Sequence, residues 1–175
     1  MSATVRDSTE GDVEAVLRIY AHYVLHSAAT FEETVPPLEE MHRRRKDVLA
    51  SGLPYLVAEV DGVVCGYAYA GQYRKERTAY RYTVEDSIYL DPERTGLGLG
   101  KLLLRALIEA CEKLGRKQML AVIGDSNNAA SIGLHQSFGF RKVGTLERAG
   151  IKFGEWKDVV FMQRALGQEE EEKHA

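Results

Sequence analysis

Long apolar runs are missing from this sequence. No segment is long and apolar enough to span a bilayer as a helix, and the N-terminal residues hold no apolar core of the kind a secretion signal needs. No membrane association is expected, and the cytoplasm is the expected compartment. Cysteine is scarce as well. Cys65 and Cys111 are the only two, far apart, each within an apolar stretch and with no CxxC spacing. Buried thiols are expected, with neither a disulfide nor a metal site. Charge of one sign is not in excess either: 23 Lys and Arg face 26 Asp and Glu, and residues 168–175, with four Glu and one Lys, account for the whole difference. A body so nearly neutral offers no nucleic-acid surface. The longest basic run, Arg43, Arg44, Arg45 and Lys46, falls within a helical pattern and is expected to be a solvated helix face.

What is present is an ordinary globular composition, 45% hydrophobic and 28% charged, over 175 residues. That suffices for one domain with a full core and is too short for two. The domain is expected over 1–166, with an acidic, disordered tail over 167–175. A short strand opens at 4–6. Thr9, with Asp12 three residues later, resembles a capping box. Val13, Val16, Leu17, Tyr20 and Val24 then mark one face of a helix that fades near Ser27. Pro36 and Pro37 start a second helix, with Met41, Val48 and Leu49 in its buried stripe, and Gly52 and Pro54 end it. Asp61 and Gly62 join two strands into a hairpin. A long strand is expected over 80–90.

Three glycines, Gly96, Gly98 and Gly100, lead into the clearest helix, which Gly115 ends. A strand over 119–123, a helix over 127–137 and two strands split by Gly154 follow. The order β α α β β β α β α β β predicts a single α/β domain with a mixed central β-sheet flanked by helices. The glycine loop between a strand and a helix suggests main-chain amides aimed at phosphate oxygens, helped by the unpaired N–H groups of the helix start. It is not a dinucleotide fingerprint, because the third glycine falls on Lys101 or Leu103. It is not a P-loop, because Leu102 follows Gly100 and Lys101.

The strand Ser87, Ile88, Tyr89, Leu90, the loop Thr95 to Gly100, and then Asn127, Ser131, Ile132, Leu134, His135, Phe138, Gly139 and Phe140 resemble motifs A and B of the GNAT superfamily of N-acetyltransferases. In that pattern Thr95 takes the place of a Gln or Arg. Three further segments are similar to phosphinothricin and methionine sulfoximine N-acetyltransferases: Tyr23, Ser27, Thr30, Phe31 and Glu32; Arg77 to Tyr80 with Thr83 to Tyr89; and Gly150 to Val159. His135, where much of the superfamily has Tyr, is a feature of the same subgroup. The resemblance implies a GNAT fold, acetyl-CoA as co-substrate, a small amine as the other substrate, and a homodimer. It also implies cofactor contacts from Ile88, Tyr89, Leu90, Gly96, Leu97, Gly98, Leu99, Gly100, Lys101 and Asn127.

Acetyl transfer needs a neutral amine, and an α-amine with a pKa near 8 is only about a tenth neutral at pH 7. A base is therefore expected. Strand alternation puts Thr83, Glu85, Ser87 and Tyr89 on one face and Val84, Asp86, Ile88 and Leu90 on the other. The first face reads as a site wall, with Glu85 as the general base, a role the resemblance also implies. Asp86 fits the apolar second face only if the strand bulges there. His135 is either a proton donor to the leaving thiolate or a packed helix histidine. Asn127 is a cofactor anchor, a helix cap, or both. A main-chain amide near Tyr89 would polarise the thioester carbonyl.

An acceptor with a carboxylate and a second polar head calls for cations, and Arg74, Lys75, Arg77 and Arg81 cluster before the strand. The resemblance favours Lys75, Glu76 and Arg77, together with Glu85, Asp86 and Ser87, with Phe31 closing the pocket. Lys152 and Trp156 read as strand and dimer packing. The expected activity is direct acetyl transfer to the α-amine of a small amino acid analogue. A transferase for peptide N-termini or another small amine, and an acyl-CoA sensor without an acceptor, are the alternatives.

Overall fold

A computed structural model describes residues 2–167. The expected disordered tail, from residue 168 onward, lies outside the described residues. The chain runs β1 (Ala3–Asp7), α1 (Val13–His26), α2 (Leu38–Ala50), β2 (Tyr55–Val60), β3 (Val63–Gln72), β4 (Thr83–Leu90), α3 (Leu99–Lys113), β5 (Gln118–Gly124), α4 (Ala129–Ser137), β6 (Arg141–Lys152) and β7 (Glu155–Ala165). This is the order read from the sequence. One seven-stranded sheet results, in the order β1-β2-β3-β4-β5-β7-β6. Every neighbouring pair is antiparallel except β4 and β5, which run parallel because α3 returns the chain between them.

Periodicity decides the layers. On α3, Leu103, Leu104, Leu107 and Cys111 fall on one stripe and are fully buried against one face of the sheet. On α1, Val13, Val16, Ile19, Tyr20 and Val24 do the same on the opposite face, joined by Met41 of α2 and by Tyr55, Val57 and Tyr67 of the sheet. The hairpin turn at Asp61 and Gly62 has positive φ at both residues, 50° and 78°, the twist a two-residue hairpin requires. Both cysteines are buried and free, and burial pushes the Cys111 thiol up to about 12, so it is no nucleophile at neutral pH.

Several local expectations are corrected. Residues 78–80 form a 3-10 turn, and β4 starts only at Thr83. Leu49 lies outside the buried stripe of α2, with 43% of its surface exposed. The basic run is not simply a solvated face. Arg43 is exposed, but Arg44 reaches Glu32 at 2.5 Å, and Arg45 is buried, donating to the Ser8 hydroxyl and carbonyl at 2.9 Å each. The long arginine stem lets an apolar helix face carry a cation to a polar partner. The α4 cap is Asn128, whose side chain accepts from the Ser131 amide at 3.2 Å; Asn127 is not the cap.

Candidate active site

The parallel pairing of β4 and β5 stops early. It runs from Thr83 opposite Gln118 to Asp86 opposite Ala121, while β4 continues to Leu90 and β5 to Gly124. Beyond Asp86 the two strands part. Residues 87–90 stay bonded to β3 on one edge, and their other edge faces a cleft of ≈ 260 Å³. Ser87, Ile88, Tyr89 and Leu90 form one wall; Val122, Ile123 and Gly124 form the other; Thr95, Asn128, Ser131, Leu134 and His135 complete it. Main-chain groups need partners, so this open edge suits an extended, amide-containing arm added as a short strand. Tyr23 of α1 braces the end of the wall, its hydroxyl donating to the Leu90 carbonyl at 2.5 Å.

The glycine loop enters at the same end. Gly96 and Gly98 have φ of 78° and 76°, and a Cβ on either would meet nothing within 4 Å. Glycine is required there by the left-handed backbone and not by crowding. Gly98 caps α3, so the first amides of that helix are unpaired and point outward from its positive end. Leu99 is buried and Leu97 exposed, while Lys101 is exposed on the first turn. Only the main chain of Leu99 can face an anion. Asn127 is exposed and does not line the cleft; its neighbour Asn128 does.

β4 divides its side chains between two faces without a bulge, since its register to β3 is unbroken. The bulge expected at Asp86 is therefore absent, and a partner explains the residue. Asp86 is buried, and His135 Nε2 stands 3.0 Å from each of its carboxylate oxygens. His135 Nδ1 lies 2.7 Å from the Ser131 carbonyl, which can only accept, so Nδ1 carries a proton. Nε2 shares a second proton with Asp86. Burial pushes the His135 pKa down, but the hydrogen bond and charge of Asp86 outweigh it and the net shift is upward. Both ring nitrogens are therefore engaged, Nδ1 by Ser131 and Nε2 by Asp86.

Glu85 points to the opposite face, across from Gly71 on β3, and does not line the cleft itself. Burial first, and the charge of Asp86 second, raise its pKa above the ordinary carboxylate value. Ser87 and Tyr89 share this face, as the alternation predicts. Phe31 does not line the cleft. Its ring fills the gap between Gly124 and Gly150, where a Cβ on Gly150 would come within 2.6 Å of it. Lys75, Glu76 and Arg77 are all exposed in the loop before β4 and do not reach the cleft of their own chain.

Lys152 does more than pack strands. Its side chain is 2% exposed, and Nζ donates to the carbonyls of Tyr23, Ser27 and Thr30 at 3.2, 2.5 and 2.7 Å. The lysine ties the end of β6 to the negative end of α1 and to the loop that carries Phe31. Its acceptors are main-chain oxygens, which leave no mark in a sequence. Among the described residues no group of three His, Cys, Asp or Glu side chains is placed to hold a metal ion.

The chain matches the acetyltransferase (GNAT) domain family over residues 5–161. It is 50% identical over 165 residues to the phosphinothricin N-acetyltransferase of Alcaligenes faecalis, spanning 94% of this chain and 83% of that one. To the L-methionine sulfoximine/L-methionine sulfone acetyltransferase of Salmonella typhimurium it is 40% identical over 163 residues, 93% of this chain and 94% of that one. The crystal structure of a GNAT superfamily phosphinothricin acetyltransferase from Sinorhizobium meliloti in complex with AcCoA superposes with a TM-score of 0.92 at 47% identity, covering 95% of this chain and 90% of that one.

Proposed function

The chain belongs to the GNAT acetyltransferase family and is an N-acetyltransferase that uses acetyl-CoA, and we propose that its acceptor is the α-amine of a small amino acid analogue such as phosphinothricin, methionine sulfoximine or methionine sulfone. The observation that carries this reading is the placement of Glu85. A half-buried carboxylate lies on β4 just before the open edge of residues 87–90, on the sheet face away from the glycine loop and α3. Donor and acceptor can then meet at the fork from opposite sides, in one ternary complex.

In this mechanism the main chain of Ile88, Tyr89 and Leu90 holds the extended arm of the donor, and an amide near Tyr89 polarises the thioester carbonyl. The amides of Gly96 to Lys101 hold the pyrophosphate, and Asn127 remains the anchor for the far end of the cofactor. Glu85 takes a proton from the acceptor ammonium, a task its raised pKa suits. The His135–Asp86 pair supplies a proton to the departing thiolate. Lys75 and Arg77 recognise the acceptor's carboxylate and polar head, with Glu76, Asp86 and Ser87 lining or supporting that recognition and Phe31 shaping its wall.

The protein works as a homodimer in the cytoplasm. Leu146, Ile151, Phe153 and Trp156 are each more than half exposed along β6 and the start of β7, an apolar row of the kind an interface covers. Sedimentation is expected to give twice the chain mass. The acceptor is tested by CoA release from acetyl-CoA with phosphinothricin, methionine sulfoximine, methionine sulfone and short peptides. Turnover is expected with the amino acid analogues; turnover confined to peptides would overturn the acceptor.

A further inference from the structure

Between α1 and α2, residues 27–37 form neither helix nor strand, yet part of this segment belongs to the cleft. Ala29 lines it, as does Tyr23 in the last turn of α1, facing Ser87 to Leu90 and Gly124. A segment without regular structure holds a fixed wall only where its main-chain groups find partners outside it. Three contacts from β5 and β6 press on it. The Ala28 carbonyl lies so close over Gly124 that a Cβ there would collide with it. The Phe31 ring occupies the place a side chain on Gly150 would take. Lys152, at the end of β6, supplies the third contact.

An ammonium has three N–H donors and no acceptor. Lys152 directs all three to main-chain carbonyls, those of Tyr23, Ser27 and Thr30. Two of these carbonyls bracket Ala29 along the chain. The third belongs to Tyr23, whose hydroxyl braces Leu90 across the cleft. Three carbonyl oxygens converging on one buried point repel one another unless a positive charge stands between them, and the Tyr23 carbonyl already lies at the negative end of α1. Without the ammonium the three oxygens would be unpaired, and the segment would have to move to reach water. Lys152 itself is sealed from the cleft and touches neither substrate.

We propose that Lys152 is a positioning residue for acetyl transfer. By drawing the three carbonyls together, it sets the wall of Tyr23 and Ala29 at the distance from residues 87–90 that aligns the thioester with the attacking amine. The inference rests on the reading of the cleft as the place of transfer, and not on which amine is accepted. The glycine loop and the start of α3, which hold the donor's phosphates in that reading, make no contact with Lys152 through its ammonium. Loss of the lysine therefore loosens alignment and leaves the donor's main anchor in place. A misplacement of about 1 Å can cost a rate of about a hundredfold.

The test compares the wild type, Lys152→Met and Thr30→Val with acetyl-CoA and L-methionine sulfone, at a temperature where circular dichroism shows the proteins folded. Methionine keeps an unbranched stem and removes the charge and all three donors. Lys152→Met is expected to lose about tenfold to a hundredfold in kcat and to raise the KM for methionine sulfone, with the KM for acetyl-CoA within about twofold of the wild type. Thr30→Val keeps the side-chain shape and frees the same segment from the Tyr20 hydroxyl, which Thr30 meets at 2.8 Å; it should show the same split at a smaller size. A Lys152→Met protein that melts lower but keeps the wild-type kcat and KM values would overturn the proposal. Should that variant not fold, Thr30→Val decides, and kinetics equal to the wild type overturn it. A wild type that leaves methionine sulfone untouched overturns the acceptor reading alone, and the comparison is then made with an amine of the panel above that it does acetylate.

Discussion

Glu85→Gln is expected to lower kcat at pH 7 by about a hundredfold or more while leaving the KM for acetyl-CoA near that of the wild type. The amide is nearly isosteric, so the fork between β4 and β5 survives, and the donor's seat on residues 87–90 involves main chain. What disappears is the group that takes the ammonium proton. The pH profile carries the sharper signature. Burial and Asp86 raise the Glu85 pKa, so the wild-type rate should fall on acidification at a pH above the ordinary carboxylate range. The variant should lack that limb. Steady-state kinetics over pH 6–9 decide the matter, and a variant within twofold of the wild type throughout would remove Glu85 from the base role.

Asp86→Ala is expected to cost about 3 kcal/mol or more of folding stability, because it strips the partner from a buried, proton-carrying imidazole. Urea unfolding of wild type and variant measures the gap. Its pH dependence has a definite sign. The folded His135 pKa lies above its unfolded value near 6.5, so the pair's contribution is fully present below about pH 6.5 and is lost as pH rises through the folded pKa. The gap should be wide at pH 6 and narrower at pH 9. An equal gap at both would mean that the pair carries no extra proton.

Much of the architecture was legible in the sequence because it rests on local periodicity. The stripe on α3, the alternation along β4 and the Asp61–Gly62 turn each act within a few residues, and each forms as its pattern requires. Alternation alone placed Glu85, Ser87 and Tyr89 on one face. What escaped depends on distance along the chain. Asp86 looked misplaced on an apolar face because its partner is 49 residues away. Lys152 looked like packing because the carbonyls it holds lie more than 120 residues upstream. Arg45 reads as solvated in sequence because nothing local announces Ser8. Asn127 and Asn128 are interchangeable to a capping rule, and only the loop geometry chooses the second.

The site shows the same division. The glycine loop and the strand it follows could be read from their residues and from family resemblance. The early end of the β4–β5 pairing could not, since strand separation depends on how α3 and α4 pack beneath the sheet. That separation makes residues 87–90 available to a ligand. The exposed positions of Lys75, Glu76 and Arg77 also belong to tertiary structure, because a charged loop reads alike whether it is solvated or meets an acceptor.

The central claim is direct transfer of acetyl to an α-amine, and the most direct measurement is the fate of a carbon-labelled acetyl group. Labelled acetyl-CoA is mixed with phosphinothricin and the protein, and the products are followed by NMR and by intact-protein mass spectrometry. The account predicts label in an amide on the acceptor's α-nitrogen, free CoA in equal amount, and unlabelled protein throughout. Label appearing only as acetate, held covalently on the protein, or remaining in acetyl-CoA would contradict it.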